Sequence, residues 1–203
     1  MNREKMIQDF INNHTVDYLE EDLLTMNETF STHREEITAC LSAAIGKICH
    51  QARLQQETGA KGPVAYLCIS FLRTKIVNDI FQYRLDLYDK NFFLDKTECA
   101  NHWNVELVLD ALKKRLSKLY AAIRTGVYVN KIRKHHIDTI KLSMAEQYHL
   151  AMIPLIQTII RKAILTPEYA SLSKAQTFKI MMGEYQDQSE FIYEETDSSS
   201  ESP

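Results

Sequence analysis

The chain has 203 residues, 45% of them apolar and 25% charged, a balance that excludes a disordered polymer, a collagen and a small disulfide scaffold. Five Gly and four Pro are too few for a turn-rich sandwich, barrel or propeller, and for any glycine-rich phosphate loop. The net charge is −3 with His neutral, which demands neither a nucleic acid nor a membrane as partner.

In chain order, Met6, Ile7, Phe10 and Ile11 suggest a short helix. Thr15 then caps a second one, with Leu19, Leu23, Met26 and Phe30 on its stripe. Thr32-His-Arg-Glu35 has the capping-box spacing, and Ile37, Leu41, Ala44, Ile48 and Ala52 follow at helical intervals as far as about Gln56. The cluster Gly59-Ala-Lys-Gly62-Pro63 breaks that helix. Residues 64–77 are dense in β-branched and aromatic side chains and read as a strand or a buried helix. Ile80 to Asp89 alternates with a period of two, so about 64–89 is expected to form one antiparallel hairpin turning at Asn78-Asp79.

Thr97 is expected to cap a further helix along Val105, Val108, Leu112, Leu116, Leu119 and Ile123. A long helix over about 134–165 carries Ile137, Ile140, Met144 and Tyr148, with Pro154 expected to kink it. Around and past the proline a second apolar set, Ile153, Ile156, Ile160 and Ile164, joins Leu155 and Ile159 of the first face, so the half after Pro154 is apolar most of the way round, the mark of a helix central in the packing. Thr166-Pro167-Glu168 starts a short helix, and Ser173 is expected to cap one more through Met182. These elements predict a mainly α fold: an irregular bundle of six or seven helices with one small hairpin. It forms a single domain over 1–195, followed by a disordered acidic and Ser-rich tail over 196–203.

Ile69-Ser-Phe-Leu-Arg-Thr74, Tyr83-Arg-Leu-Asp-Leu-Tyr-Asp89, Phe93-Leu-Asp95 and Met182-Gly-Glu-Tyr-Gln-Asp-Gln-Ser189 together resemble a family of mainly helical cytoplasmic proteins from Firmicutes. The resemblance extends over about 60–193 and implies a bacterial origin and a shared fold. It implies no activity, because none is established for that family.

Cys40, Cys49, Cys68 and Cys99 are too few for a stapled secreted domain, so reduced thiols and a cytoplasmic setting are expected. The longest stretch free of charge is shorter than a membrane span, and no membrane partner is expected. No Walker loop, dinucleotide fingerprint, nucleophile elbow or zincin motif occurs, so an enzyme is the less favoured reading and no cofactor is expected.

Cys99-x-x-His102 and Glu146-x-x-His149 have metal half-site spacing, but each lacks its second half, and no metal ligand is assigned. The carboxylates Asp86, Asp89, Asp95 and Glu98 gather near a strand end, where carboxylates can hold Mg²⁺. In that segment Tyr83, Arg84, Asp86, Tyr88 and Asp89 are the candidate pocket residues.

The charge is segregated. Residues 1–30 and 184–203 are acidic, whereas 112–145 holds nine Lys or Arg against Asp138 alone. Lys113, Lys114, Lys118, Lys131, Arg133 and Lys134 are the candidate basic face, and cations at a helix start oppose its dipole. The expected function is therefore a non-catalytic protein-interaction or regulatory protein, binding a protein partner or itself. One alternative is a nucleic-acid-binding protein using 112–145. The other is a metal-dependent enzyme using the Asp86–Glu98 carboxylates.

Overall fold

The computed structural model describes residues 3–14, 18–125, 128–129 and 131–196. The helices are α1 (Arg3–His14), α2 (Leu19–Thr32), α3 (Arg34–Glu57), α4 (Arg73–Val77), α5 (Asp110–Ile123), α6 (Lys134–Ala163) and α7 (Pro167–Ala170). The strands are β1 (Val64–Phe71), β2 (Gln82–Asp89), β3 (Ala100–Asn104), β4 (Lys174–Glu184) and β5 (Ser189–Thr196). The strands form one sheet in the order β3-β2-β1-β4-β5, with β1 and β4 parallel and the other neighbours antiparallel.

This α/β arrangement corrects the expectation of a mainly α, or all-α, bundle with one hairpin. The antiparallel β1–β2 pair does form, but α4 replaces the direct turn, because the strand expected as far as residue 77 ends at Phe71. The segment after Thr97 enters β3 before α5 begins at Asp110, and the helix expected after Ser173 is the 11-residue β4. In β4 Phe178, Ile180 and Met182 are buried, a period of two. The Thr15 cap and, apart from Thr196 at the end of β5, the expected tail lie outside the described residues.

The chain gathers into two compact units. The first comprises residues 1–33, 73–81 and 105–152, and the second 34–72, 82–104 and 153–203. In the helical unit α2 packs on α5. Met26, Phe30, Val105, Val108, Leu112, Leu116, Leu119, Ile137, Ile140 and Tyr148 fill its interior, as the helical stripes anticipated.

In the sheet unit one sheet face is sealed. Leu67 and Ile69 of β1, Tyr83, Leu85 and Leu87 of β2, Trp103 of β3, and Phe178, Ile180 and Met182 of β4 are all buried. α3 packs against β2, β3 and α7 through Ile37, Leu41, Ala44, Ile45, Ile48 and Ala52. The α6 segment beyond Pro154, helical through the proline, lies alongside α3. There the Ser42 hydroxyl donates to the Ala163 carbonyl at 2.7 Å and Arg34 to the Thr158 carbonyl at 3.1 Å. α7 starts as expected, with Pro167 in its first turn and the Thr166 hydroxyl accepting from the Tyr169 N–H at 3.1 Å. The Tyr169 ring then meets Phe178 edge-on at 5.6 Å.

Candidate functional site on the second sheet face

Strand register assembles the other face of the sheet in rows. Tyr88, Tyr66, Lys179 and Glu194 lie side by side across β2, β1, β4 and β5. Asp86, Cys68, Met181 and Phe191 form the next row, and Arg84, Ser70, Gly183 and Ser189 the third. On β3, Ala100 stands beside Asp86 and His102 beside Arg84. Because β2 alternates, Tyr83 points the opposite way, into the sealed core between Phe71 and Trp103. Of the five candidate pocket residues, Arg84, Asp86 and Tyr88 share one face. Tyr83 does not, and Asp89 closes the local turn by accepting from the Asn91 N–H at 2.7 Å.

Arg84 anchors the face. Its Nε donates to both Asp86 oxygens at 2.9 and 2.8 Å, and one terminal nitrogen reaches Asp86 at 2.8 Å and Glu98 at 2.7 Å. The Tyr185 ring, carried by the β4–β5 turn, lies 5.1 Å from the guanidinium carbon. Burial raises the Asp86 pKa, and its hydrogen bonds from Arg84 oppose that rise without cancelling it. Arg84 is held charged chiefly by its hydrogen bond to Asp86. Beside them burial, reinforced by the Asp86 charge, pushes the Cys68 thiol up to about 12, and burial likewise raises Tyr88. At neutral pH Cys68 is therefore a thiol and no nucleophile.

Next to this network is an aromatic shelf. Phe92 adopts φ = 55°, a left-handed conformation that costs a bulky residue about 1–3 kcal/mol. Its ring lies 4.8 Å from Tyr66, 5.5 Å from Tyr88 and 3.9 Å from Phe93. The loop carrying it is clamped from below by Lys61, whose ammonium is fully buried and donates to Asp95 at 2.5 Å and to the Thr97 carbonyl at 2.9 Å. Burial alone would raise the Asp95 pKa. Lys61 and the Asp89 and Thr97 amides together hold it below its ordinary value. Phe93, Leu94 and Phe191 are exposed at 38%, 82% and 57%.

The four carboxylates Asp86, Asp89, Asp95 and Glu98 are each taken up by a partner other than a metal. Asp86 and Glu98 bind Arg84, Asp95 binds Lys61, and Asp89 binds Asn91. Among the described residues no group of three or more His, Cys, Asp or Glu is placed to hold a metal ion. Cys99 and His102 do not share a helical face, because their segment is β-structure: the Cys99 thiol donates to the Ile48 carbonyl, while His102 stands beside Arg84. On α6 Glu146 is exposed and His149 is buried.

The basic segment divides as well. Arg115 and Lys141 are buried in ion pairs with Asp22 and Asp79. Lys113 and Lys114 pair at the surface with Glu106 and Asp110, contacts of little energetic weight. Lys118 is exposed on α5, and Lys131, Arg133 and Lys134 precede or open α6.

Sequence reasoning missed Tyr66, Tyr185, Met181 and Phe191 as members of the sheet face. The alternation Thr177-Phe178-Lys179-Ile180, which marks a strand leading into Met181, was the available signal. No protein-family model matches this chain, and no curated protein or solved structure matches it either.

Proposed function

We propose that this chain is a non-catalytic protein-interaction protein, docking through the second face of its sheet onto a second copy of itself. The observation that carries the reading is exposed apolar surface: Phe191 stands beside Met181 in the register of this face, the Phe93 ring meets Tyr88 edge-on at 5.5 Å, and Leu94, next to it in the chain, is 82% exposed. Aromatic residues, Met and Arg are the side chains enriched where proteins meet, and apolar side chains gathered on one exposed face favour contact. The polar network beside them is internally satisfied, with Arg84 binding both carboxylates, and so offers a docking surface rather than a free base or nucleophile. Arg84 offsets one of its two carboxylates, Asp86 and Glu98, and Lys179 stands against Glu194, so only a single negative charge is left over among these five groups.

A cytoplasmic setting is part of the same proposal. All four cysteines are free, and among the described residues no helix is long and apolar enough to cross a membrane. The nucleic-acid alternative has less support, because Arg115 and Lys141 of the basic segment are buried in ion pairs with Asp22 and Asp79 and leave its surface.

Sedimentation velocity over a wide concentration range tests the reading. The wild-type chain should dimerise with concentration, and Leu94→Asp and Phe191→Asp should each weaken that dimer about tenfold or more. A chain that remains monomeric throughout, or a dimer indifferent to both substitutions, overturns it.

A further inference from the structure

The helical unit contains a depression of about 580 Å³, independent of the sheet face, lined by Val77, Tyr120 and Ile137 among its apolar residues and by Arg124, Arg133 and Lys134 at its polar side. That volume is in the range of small-molecule sites. We infer that this depression binds a phosphate monoester carrying an apolar or aromatic body, its phosphate held by Arg124, Arg133 and Lys134.

Charge balance supports the assignment. Of the two carboxylates in the lining, Asp79 is already committed: the fully buried Lys141 ammonium reaches it at 2.5 Å and the Val77 carbonyl at 2.9 Å. Burial works against the Lys141 charge, and hydrogen bonds with Asp79 and Tyr120 more than offset it. The floor is therefore neutral. What remains is three cations against Asp138, and among the described residues none of the three is ion-paired.

Position adds to this. Arg133 and Lys134 stand at the start of the 30-residue α6, whose first turn has no acidic residue. Cations there face the positive end of the helix dipole, an unfavourable placement that a bound dianion reverses. Guanidinium groups match phosphate oxygens in pairs, and Val77, Ile123, Ile132, Ile137 and the Tyr120 ring supply the wall for the body of the ester. Two guanidiniums and an ammonium around a half-apolar depression suit a small ester better than a nucleic-acid backbone, which requires a continuous cationic track.

The test is calorimetric titration of the full chain with phenyl phosphate, inorganic phosphate and phenol. Phenyl phosphate should bind saturably, about tenfold more tightly than inorganic phosphate, and weaken with rising salt, while phenol should not bind. Vesicles containing phosphatidic acid form a second arm, in which binding identifies a lipid headgroup as the source of the ester. Arg133→Gln and Arg124→Gln should each lower affinity about tenfold in whichever arm binds. Asp138→Asn should raise affinity several-fold, a gain that misfolding cannot mimic. Absence of saturable binding in both arms, or affinities unchanged in all three variants, overturns the inference.

Discussion

Arg115 on α5 binds Asp22 on α2 with two hydrogen bonds of 2.7 Å each, and both side chains are almost entirely buried. The guanidinium also lies 4.1 Å from the Tyr18 ring. A strongly basic segment and an acidic N-terminal helix are thereby joined inside the helical unit. The charge segregation of the sequence has in this pair a structural use.

The pair should be strongly non-additive. Asp22→Asn alone strands a buried guanidinium and should cost about 3–5 kcal/mol. Asp22→Leu combined with Arg115→Met should recover most of that loss, because an apolar pair of similar volume carries no desolvation penalty. Urea unfolding of the wild-type chain, Asp22→Leu, Arg115→Met and the double variant closes the cycle and gives the coupling directly.

Buried His149 should make stability fall in mild acid. Burial lowers its pKa from 6.5 to about 4, so below pH 6.5 the unfolded chain takes up a proton that the folded one refuses. Its contribution is constant above about pH 6.5 and is lost progressively down to about pH 4, a total of at most about 3 kcal/mol. Denaturant midpoints measured across that window should fall more steeply for the wild-type chain than for His149→Gln.

Gly183 should tolerate no side chain. A Cβ there would lie 2.2 Å from the Gln188 carbonyl oxygen and 2.5 Å from the Ser189 Cα, backbone atoms at the end of the β4–β5 turn and the start of β5. Gly183→Ala should therefore destabilise by about 3 kcal/mol or more. Gly62→Ala, with nothing within 4 Å of the added carbon, should stay within about 1 kcal/mol of wild type. Thermal unfolding compares the two.

Thiol labelling should be selective. Cys40 is exposed, whereas Cys49, Cys68 and Cys99 are buried and burial pushes each up to about 12. An aromatic disulfide reagent at neutral pH should release one equivalent of chromophore rapidly from the folded protein, and four after unfolding in denaturant. Fast release of more than one from the native chain would contradict the packing described.

Much of the helical unit was legible before folding. The stripes over Met26–Phe30, Leu112–Leu119 and Ile137–Tyr148 are buried as their spacing indicated, because an amphipathic helix carries its instructions within four residues; Val105 and Val108, expected on the same stripe as Leu112, are buried but precede α5. The same holds for α3, for Pro167 at the start of α7, and for the alternation in β2 that separated Arg84, Asp86 and Tyr88 from Leu85 and Leu87. The β4 segment was misread because Ser173 offered a helix cap, while its strand partner β1 lies about a hundred residues away. A parallel pair has no local turn to announce it.

Sequence alone determined which residues are apolar, where the chain turns at Gly59–Pro63, and that charge is acidic at the ends and basic between. It could not decide which charges remain available, since an ion pair is a property of two positions brought together. Folding buries Arg115 on Asp22, Lys141 on Asp79 and Lys61 on Asp95, and leaves Arg124, Arg133 and Lys134 facing a depression. It also sets Tyr66, Tyr88, Met181 and Phe191 on one sheet face through the pairing of four strands. Helical periodicity is encoded within a turn, whereas strand order and charge pairing depend on contacts between distant segments, and only the tertiary structure supplies those.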